Sequence, residues 1–223
     1  MIKRLTTRRR KALRWCSAAV ALLAAAWVLL PRNLTLGMAH KRTMEDLLAA
    51  PAETLCQTQA LLERNYEEWL VLAQSWDTVC LGVYQKAGWL NWRCQYVLTV
   101  DREEGRPFAA GHYEESTYVP SFREDDELGS GYDYVYGCVW DPEVVTLEIC
   151  LRHVDGQDQW HEQTVHLDVA DLETDSRGER WFFVPQGQVL PKNYGTYCSV
   201  TAYDSQGNIL AKRLAAVDRW EEP

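Results

Sequence analysis

The sequence has little phenylalanine. Four Phe stand against ten Trp and eleven Tyr in 223 residues, so most large rings carry a polar edge that seeks a hydrogen-bond partner when buried. Several chemical signatures are missing altogether. No C-x-x-C occurs, which excludes a zinc ribbon or a thioredoxin-type redox motif. G-x-S-x-G, the P-loop and G-x-G-x-x-G are absent as well, leaving no motif for a nucleophile elbow or a phosphate cradle. The two histidines of His161-Glu162-Gln163-Thr164-Val165-His166 are five apart, where a zinc protease needs four to share one helical face. Positive charge is in the minority, 23 Lys and Arg against 32 Asp and Glu for a net −9. That balance argues against a nucleic-acid binder, which needs a basic face to displace counterions. What is present, 47% hydrophobic and 25% charged residues, suits one or two modest folded domains.

The charge is unevenly distributed. Lys3, Arg4, Arg8, Arg9, Arg10, Lys11 and Arg14 fall in residues 1–14 without a single acid. An uncharged apolar run follows over residues 15–30, closed by Pro31 and Arg32. A basic start before an apolar run is the pattern of a segment inserted with its N-terminus in the cytoplasm. As a helix the run is roughly 24 Å long, between the length of a signal-peptide core and that of a full span. Its flanks favour an uncleaved single-pass transmembrane anchor over 15–31, a basic cytoplasmic tail over 1–14 and an extracytoplasmic remainder. No cofactor is expected.

Residues 40–75 are expected to be a helical stalk. Thr43 and Asp46 have the spacing of a capping box, and Pro51 suits the first turn of a second helix. Leu55, Gln59, Leu62, Tyr66, Trp69 and Ala73 then recur at spacings of four and three, one apolar stripe of an amphipathic helix. Leu55, Leu62, Tyr66 and Trp69 are its candidate interface, either for the chain's own β domain or, through the 51–74 helix, for a homo-oligomer or a membrane partner.

After Ser75 the pattern changes to alternation. Residues 76–131 predict a β-hairpin turning at Lys86-Ala87-Gly88, then an acidic loop whose nine acids face three arginines; Leu128-Gly129-Ser130-Gly131 has the composition of a hinge. Residues 132–218 predict the sandwich core. Tyr132, Tyr134, Tyr136, Cys138 and Trp140 share one parity, and so do Val145, Leu147, Ile149 and Leu151. Asp155-Gly156 is a hairpin signal, and further strands follow around 164–169, 180–184 and 198–216. Short strands at regular spacing with polar turns indicate an antiparallel β-sandwich. The stretch 194–208, with Tyr194, Cys198, Val200, Ala202, Asp204, Gly207 and Asn208, resembles the closing hairpin of immunoglobulin-like and fibronectin type III-like modules. Thr196 departs from that pattern, because it stands where an immunoglobulin tyrosine corner has its Tyr. The resemblance covers about fifteen residues; it implies an immunoglobulin-like sandwich with an extracellular binding or spacing role, and no activity. The fold class is therefore mainly β, with an N-terminal transmembrane helix and an amphipathic juxtamembrane helix ahead of the sandwich.

Six cysteines lie beyond the apolar run: Cys56, Cys80, Cys94, Cys138, Cys150 and Cys198. Outside the cytoplasm an even number reads as up to three disulfides. Cys80 and Cys94 are equidistant from Ala87, Cys138 and Cys198 share the inward parity of their strands, and Cys150 faces outward, toward Cys56; free buried thiols are the alternative.

Trp89, Trp92, Tyr132, Tyr134 and Tyr136 are the candidate ligand-stacking residues, since exposed rings on a sheet can stack on sugars; the competing reading has them filling a Phe-poor core. No catalytic or metal-ligating residue is singled out. The expected function is a non-enzymatic binding or assembly role at the cell envelope, with an envelope protein or a glycan as partner. The alternatives are a cell-surface glycan-binding module using exposed Trp and Tyr, and an envelope hydrolase with paired carboxylates near 101–127.

Overall fold

A computed structural model describes residues 15–20, 33–48, 51–61, 67–87, 91–116, 128–154, 160–191, 196–215 and 219–221. Among them the chain is mainly β, in three antiparallel sheets. The first sheet runs in chain order: β1 (Glu53–Gln59), β2 (Glu68–Gln74), β3 (Thr78–Lys86) and β4 (Trp92–Asp101). In the middle sheet β5 (Phe108–Ser116) pairs with β6 (Leu128–Val139), which pairs with β10 (Arg180–Pro191), which pairs with the two-residue β9 (Glu173–Thr174). The third sheet has β7 (Thr146–Val154) between the edge strand β8 (Trp160–Asp168) and β11 (Thr196–Tyr203), continued by β12 (Ile209–Leu214) and β13 (Arg219–Glu221).

Alternation along β5 and β6 decides how the sheets stack, because successive side chains of a strand point to opposite faces. Tyr134, Tyr136 and Cys138 of β6 join Leu70 and Leu72 of β2 and Val79, Leu81 and Val83 of β3. Val135 and Val139 of β6 join Leu147, Ile149 and Leu151 of β7 and Cys198, Val200 and Ala202 of β11. The middle sheet is thus buried on both faces. Two of its glycines permit this closeness: a Cβ at Gly137 would overlap the Ala109 carbonyl oxygen, and one at Gly111 would overlap the Tyr136 ring.

A single helix, α1 (Leu36–Leu47), covers the outer face of the first sheet. The Thr35 side chain caps it by accepting from the Met38 N–H at 3.2 Å, as an N-cap residue does. Its inward residues Ala39 and Met44 rest on Val71, Tyr84 and Trp92 and on Ala73 and Cys80.

Several expectations are corrected. No helix among the described residues is long and apolar enough to cross a membrane. Residues 15–20 are helical, and 21–32 lie outside the described residues. An uncharged run of sixteen residues falls several ångströms short of a hydrocarbon core of about 30 Å. The juxtamembrane helix over 43–74 is not formed: α1 lies earlier, and β1 and β2 occupy most of 51–74. Leu55 and Trp69, expected on a helical interface, are strand residues, while Leu62 and Tyr66 lie outside the described residues. The run Trp69 to Ala73 is apolar throughout because β2 is covered on both faces, and such a run has no period that separates strand from helix. Thr43 is not a cap; inside α1 its hydroxyl donates to the Ala39 carbonyl at 2.9 Å. The hinge at 128–131 is the start of β6, and a stack of three sheets replaces the two-layer sandwich.

Candidate functional site

The tyrosine stripe does not form a surface strip. Tyr134 and Tyr136 are fully buried between the first and middle sheets, and Tyr132 is half-buried against the same core. Trp92 lies under α1 with the Lys86 ammonium 5.6 Å above its ring; Trp89 lies outside the described residues. The rings sit inside because they replace phenylalanine in a core that also gives their polar tips partners.

These partners form the most distinctive cluster of the molecule. The Tyr134 ring lies between Tyr113 and Phe183, with centroids 5.7 and 5.6 Å away and planes inclined by 17° and 25°. Its hydroxyl donates to Glu115 Oε2 at 2.8 Å and accepts from the Leu61 N–H at 2.9 Å. Tyr96 donates to the Tyr113 hydroxyl at 2.5 Å. Glu68 is also buried, and its charge and that of Glu115 both act on Tyr113. Burial pushes the Tyr113 and Tyr134 phenols well above their ordinary values, helped at Tyr113 by Tyr96 and both carboxylates, and at Tyr134 by Glu115 against the opposing Leu61 N–H. Both stay protonated, Tyr134 as donor to Glu115 and Tyr113 as acceptor from Tyr96, and neither serves as a base near neutrality.

On the other side of the middle sheet, His112 Nε2 and Asp133 Oδ1 lie 2.5 Å apart, both side chains almost wholly buried. Burial, and then the Asp133 carboxylate, raise the thiol of Cys198. A third cluster joins the first sheet to the turn between β9 and β10. Glu179 accepts from Gln74 and Arg102 at 2.6 Å each and pairs with Arg177 at 3.3 Å. Arg102 lies over Trp140 and Arg177 over Trp76, which is 69% exposed. Such arginine–aromatic contacts add to packing where the ring is partly desolvated.

A groove of about 360 Å³ opens beside the β6–β7 connection, lined in part by Trp140, Asp141, Val144, Asp168 and Arg180. Arg180 is engaged in structure there, since its Nη1 donates to the Ala170 and Leu172 carbonyls at 2.9 and 3.0 Å. Among the described residues no group of three or more His, Cys, Asp or Glu is placed to hold a metal ion.

The expected disulfides are absent: Cys56, Cys80, Cys94, Cys138, Cys150 and Cys198 are all free thiols. The β3–β4 pairing sets Cys80 opposite Thr99 and Cys94 opposite Tyr84, because its register joins Lys86 to Trp92 and is bulged near Cys94. Cys138 points from the middle sheet toward the first, away from Cys198 in the other interface. Cys56 and Cys150 belong to different sheets. Burial pushes Cys56 up to about 11 and, with nearby carboxylates, Cys80 and Cys138 up to about 12, values at which the nucleophilic thiolate is scarce.

No family model, no curated protein and no solved structure matches this chain.

The residues themselves therefore carry the functional argument. Glu68 and Glu115 come nearest to the paired carboxylates sought near 101–127, and both are sealed between sheets. Sequence reasoning missed Glu68 because it fell in an expected helix, and Glu115 because it stood among nine acids; residues 117–127, with the acids 124–127, lie outside the described residues. A carboxylate adjoining a tyrosine-rich apolar strand was the available signal.

The edges of the sheets are the other place where chemistry is presented to solvent, since an edge strand has unpaired N–H and C=O groups. Among the described residues, four of the six edges are short or broken: β9 and β13 have two and three residues, while β1 and β4 are bulged at register shifts against their neighbours. The fifth, β5, holds Phe108, Ala109, Ala110, Tyr113 and Glu115 buried. The sixth, β8, pairs with β7 from Trp160 to Asp168 without a shift. His161, Glu162, Gln163, Thr164, His166 and Asp168 along it are exposed, with Val165 and Leu167 half-buried.

Proposed function

We propose that the chain is a non-enzymatic binding or assembly module of the cell envelope, and that edge strand β8 is its contact element. The observation that carries this reading is the regular, proline-free, exposed course of β8 beside five edges that are shortened, bulged or buried. An edge of this length, without a further strand beside it among the described residues, takes a partner by strand addition, in which main-chain hydrogen bonds supply affinity and alternate side chains supply choice. The envelope placement is supported by residues 1–30, where seven basic residues precede an uncharged apolar run, a combination attracted to anionic membrane surfaces.

The test is a photo-crosslinking amino acid at Gln163, with Glu143 as the exposed control outside β8, in cells producing the full chain. Discrete adducts from position 163 and none from 143 are expected. Equal adduct patterns at both positions, or none at 163, would overturn the reading.

A further inference from the structure

We infer that the partner of β8 is β8 of a second copy, joined antiparallel about a two-fold axis at Thr164, so that two five-stranded sheets become one. This rests on β8 being the contact element.

Symmetry and charge both favour this register. In an antiparallel pair, residues that face each other must point to the same side of the sheet. A two-fold axis perpendicular to the sheet must therefore pass midway between one residue and its own equivalent. Thr164 is the midpoint of Trp160–Asp168, so an axis there pairs the strand over its whole length. The same axis sets Glu162 opposite His166 of the second copy, and His166 opposite its Glu162. One axis position further, at Val165, Glu162 would meet Asp168, a like-charge pair that opposes association.

The charges behind β8 extend the match. On the outer face, Arg152 stands opposite Glu162 and Glu148 opposite His166, with the Arg152–Glu162 pair at 2.6 Å and the Glu148–His166 pair at 3.9 Å. Across the new boundary the row would read Arg152, Glu162, then His166 and Glu148 of the second copy, with basic and acidic groups alternating at every step. Thr164 would face its own equivalent, a pair that stabilises adjacent strands. The edge is self-complementary, as a two-fold interface requires.

Sedimentation equilibrium of the full chain tests this, with three variants. The wild type is expected to dimerise. Glu162→Lys, which sets a positive charge against His166, is expected to weaken the dimer about tenfold. Glu162→Lys combined with His166→Glu restores opposite charges and is expected to return the dimer to within about threefold of the wild type. Thr164→Cys in a Cys16→Ser background, which removes the exposed native thiol, is expected to crosslink to a covalent dimer with a short bismaleimide. A wild type that stays monomeric at about 100 µM, a dimer indifferent to the single reversal, or a double variant no better than the single would each overturn the inference. A monomer that still gives a position-163 adduct with a different protein would overturn the self-pairing and leave the assembly reading intact; a monomer without adducts would sink both.

Discussion

Asp133→Ala tests the interface between the middle and third sheets most directly. Its carboxylate lies 2.5 Å from His112 Nε2, and the two side chains are 2% and 7% exposed. Truncation leaves the buried imidazole without this partner. Removing one member of a buried charged pair costs about 3–5 kcal/mol; removing one member of a buried neutral hydrogen bond costs about 1–3 kcal/mol. Against a total stability of about 5–15 kcal/mol, either loss is large. The assay is urea unfolding of the full chain followed by tryptophan fluorescence, with ten Trp as reporters. Wild type, Asp133→Ala, His112→Leu and Asp133→Ala/His112→Leu complete the set. The double variant removes both polar groups together, so it is expected to be more stable than either single variant. The size of the Asp133→Ala loss also tells a charged pair from a neutral one. A loss below about 1 kcal/mol, or a double variant whose loss equals the sum of the two single losses, would refute the claim that this pair holds the interface.

Tyr134→Phe keeps the stacked ring and removes the hydroxyl that serves Glu115 and the Leu61 N–H; a loss of about 1.5–3 kcal/mol in the same assay is expected, and a loss within about 0.5 kcal/mol would contradict the role given to that hydroxyl. His40, 6% exposed on the inward face of α1 with Nδ1 3.0 Å from the Tyr84 hydroxyl, is held below the ordinary imidazole value of 6.5 by burial. The unfolded chain therefore binds a proton that the folded chain refuses, so this group's contribution is complete above the ordinary value and is lost as pH falls below it toward the depressed folded value. Between about pH 7 and 5 the stability of the wild type is expected to fall more steeply than that of His40→Gln, and parallel curves would exclude burial of a neutral His40.

The strands of the second half were legible because each has one dominant period. Tyr132 to Trp140 alternates, and Tyr134, Tyr136 and Cys138 do share a face. Cys198, Val200 and Ala202 face the core together, as their parity indicated. Residues 51–74 were not legible. A strand covered on one side by α1 and on the other by the middle sheet loses its polar face, and with it the alternation that marks a strand. The stripe from Leu55 to Ala73 was a coincidence of spacing in such a segment. Nor could the pairs Glu115–Tyr134 and His112–Asp133 be read from sequence, since each joins two strands through a register that only the assembled sheet defines.

That register explains why buried polar groups stand in the middle sheet at all. Between β5 and β6, Tyr113 faces Tyr134, Glu115 faces Tyr132, His112 faces Val135 and Glu114 faces Asp133. The Glu115–Tyr134 bond therefore runs diagonally, reaching two residues along β6 in one direction on the first-sheet side. The His112–Asp133 contact runs diagonally in the opposite direction on the third-sheet side. A slip of one residue would turn every side chain of β5 to the wrong interface. A slip of two residues keeps the faces and would bring one of these pairs directly opposite, but it would carry the other pair four residues out of register and leave a buried carboxylate without that partner. Sterics oppose the two-residue slip as well, since it would set either Ala109 or Tyr113 where Gly111 lies against the Tyr136 ring. Two opposed polar braces, one in each interface, resist it in both directions.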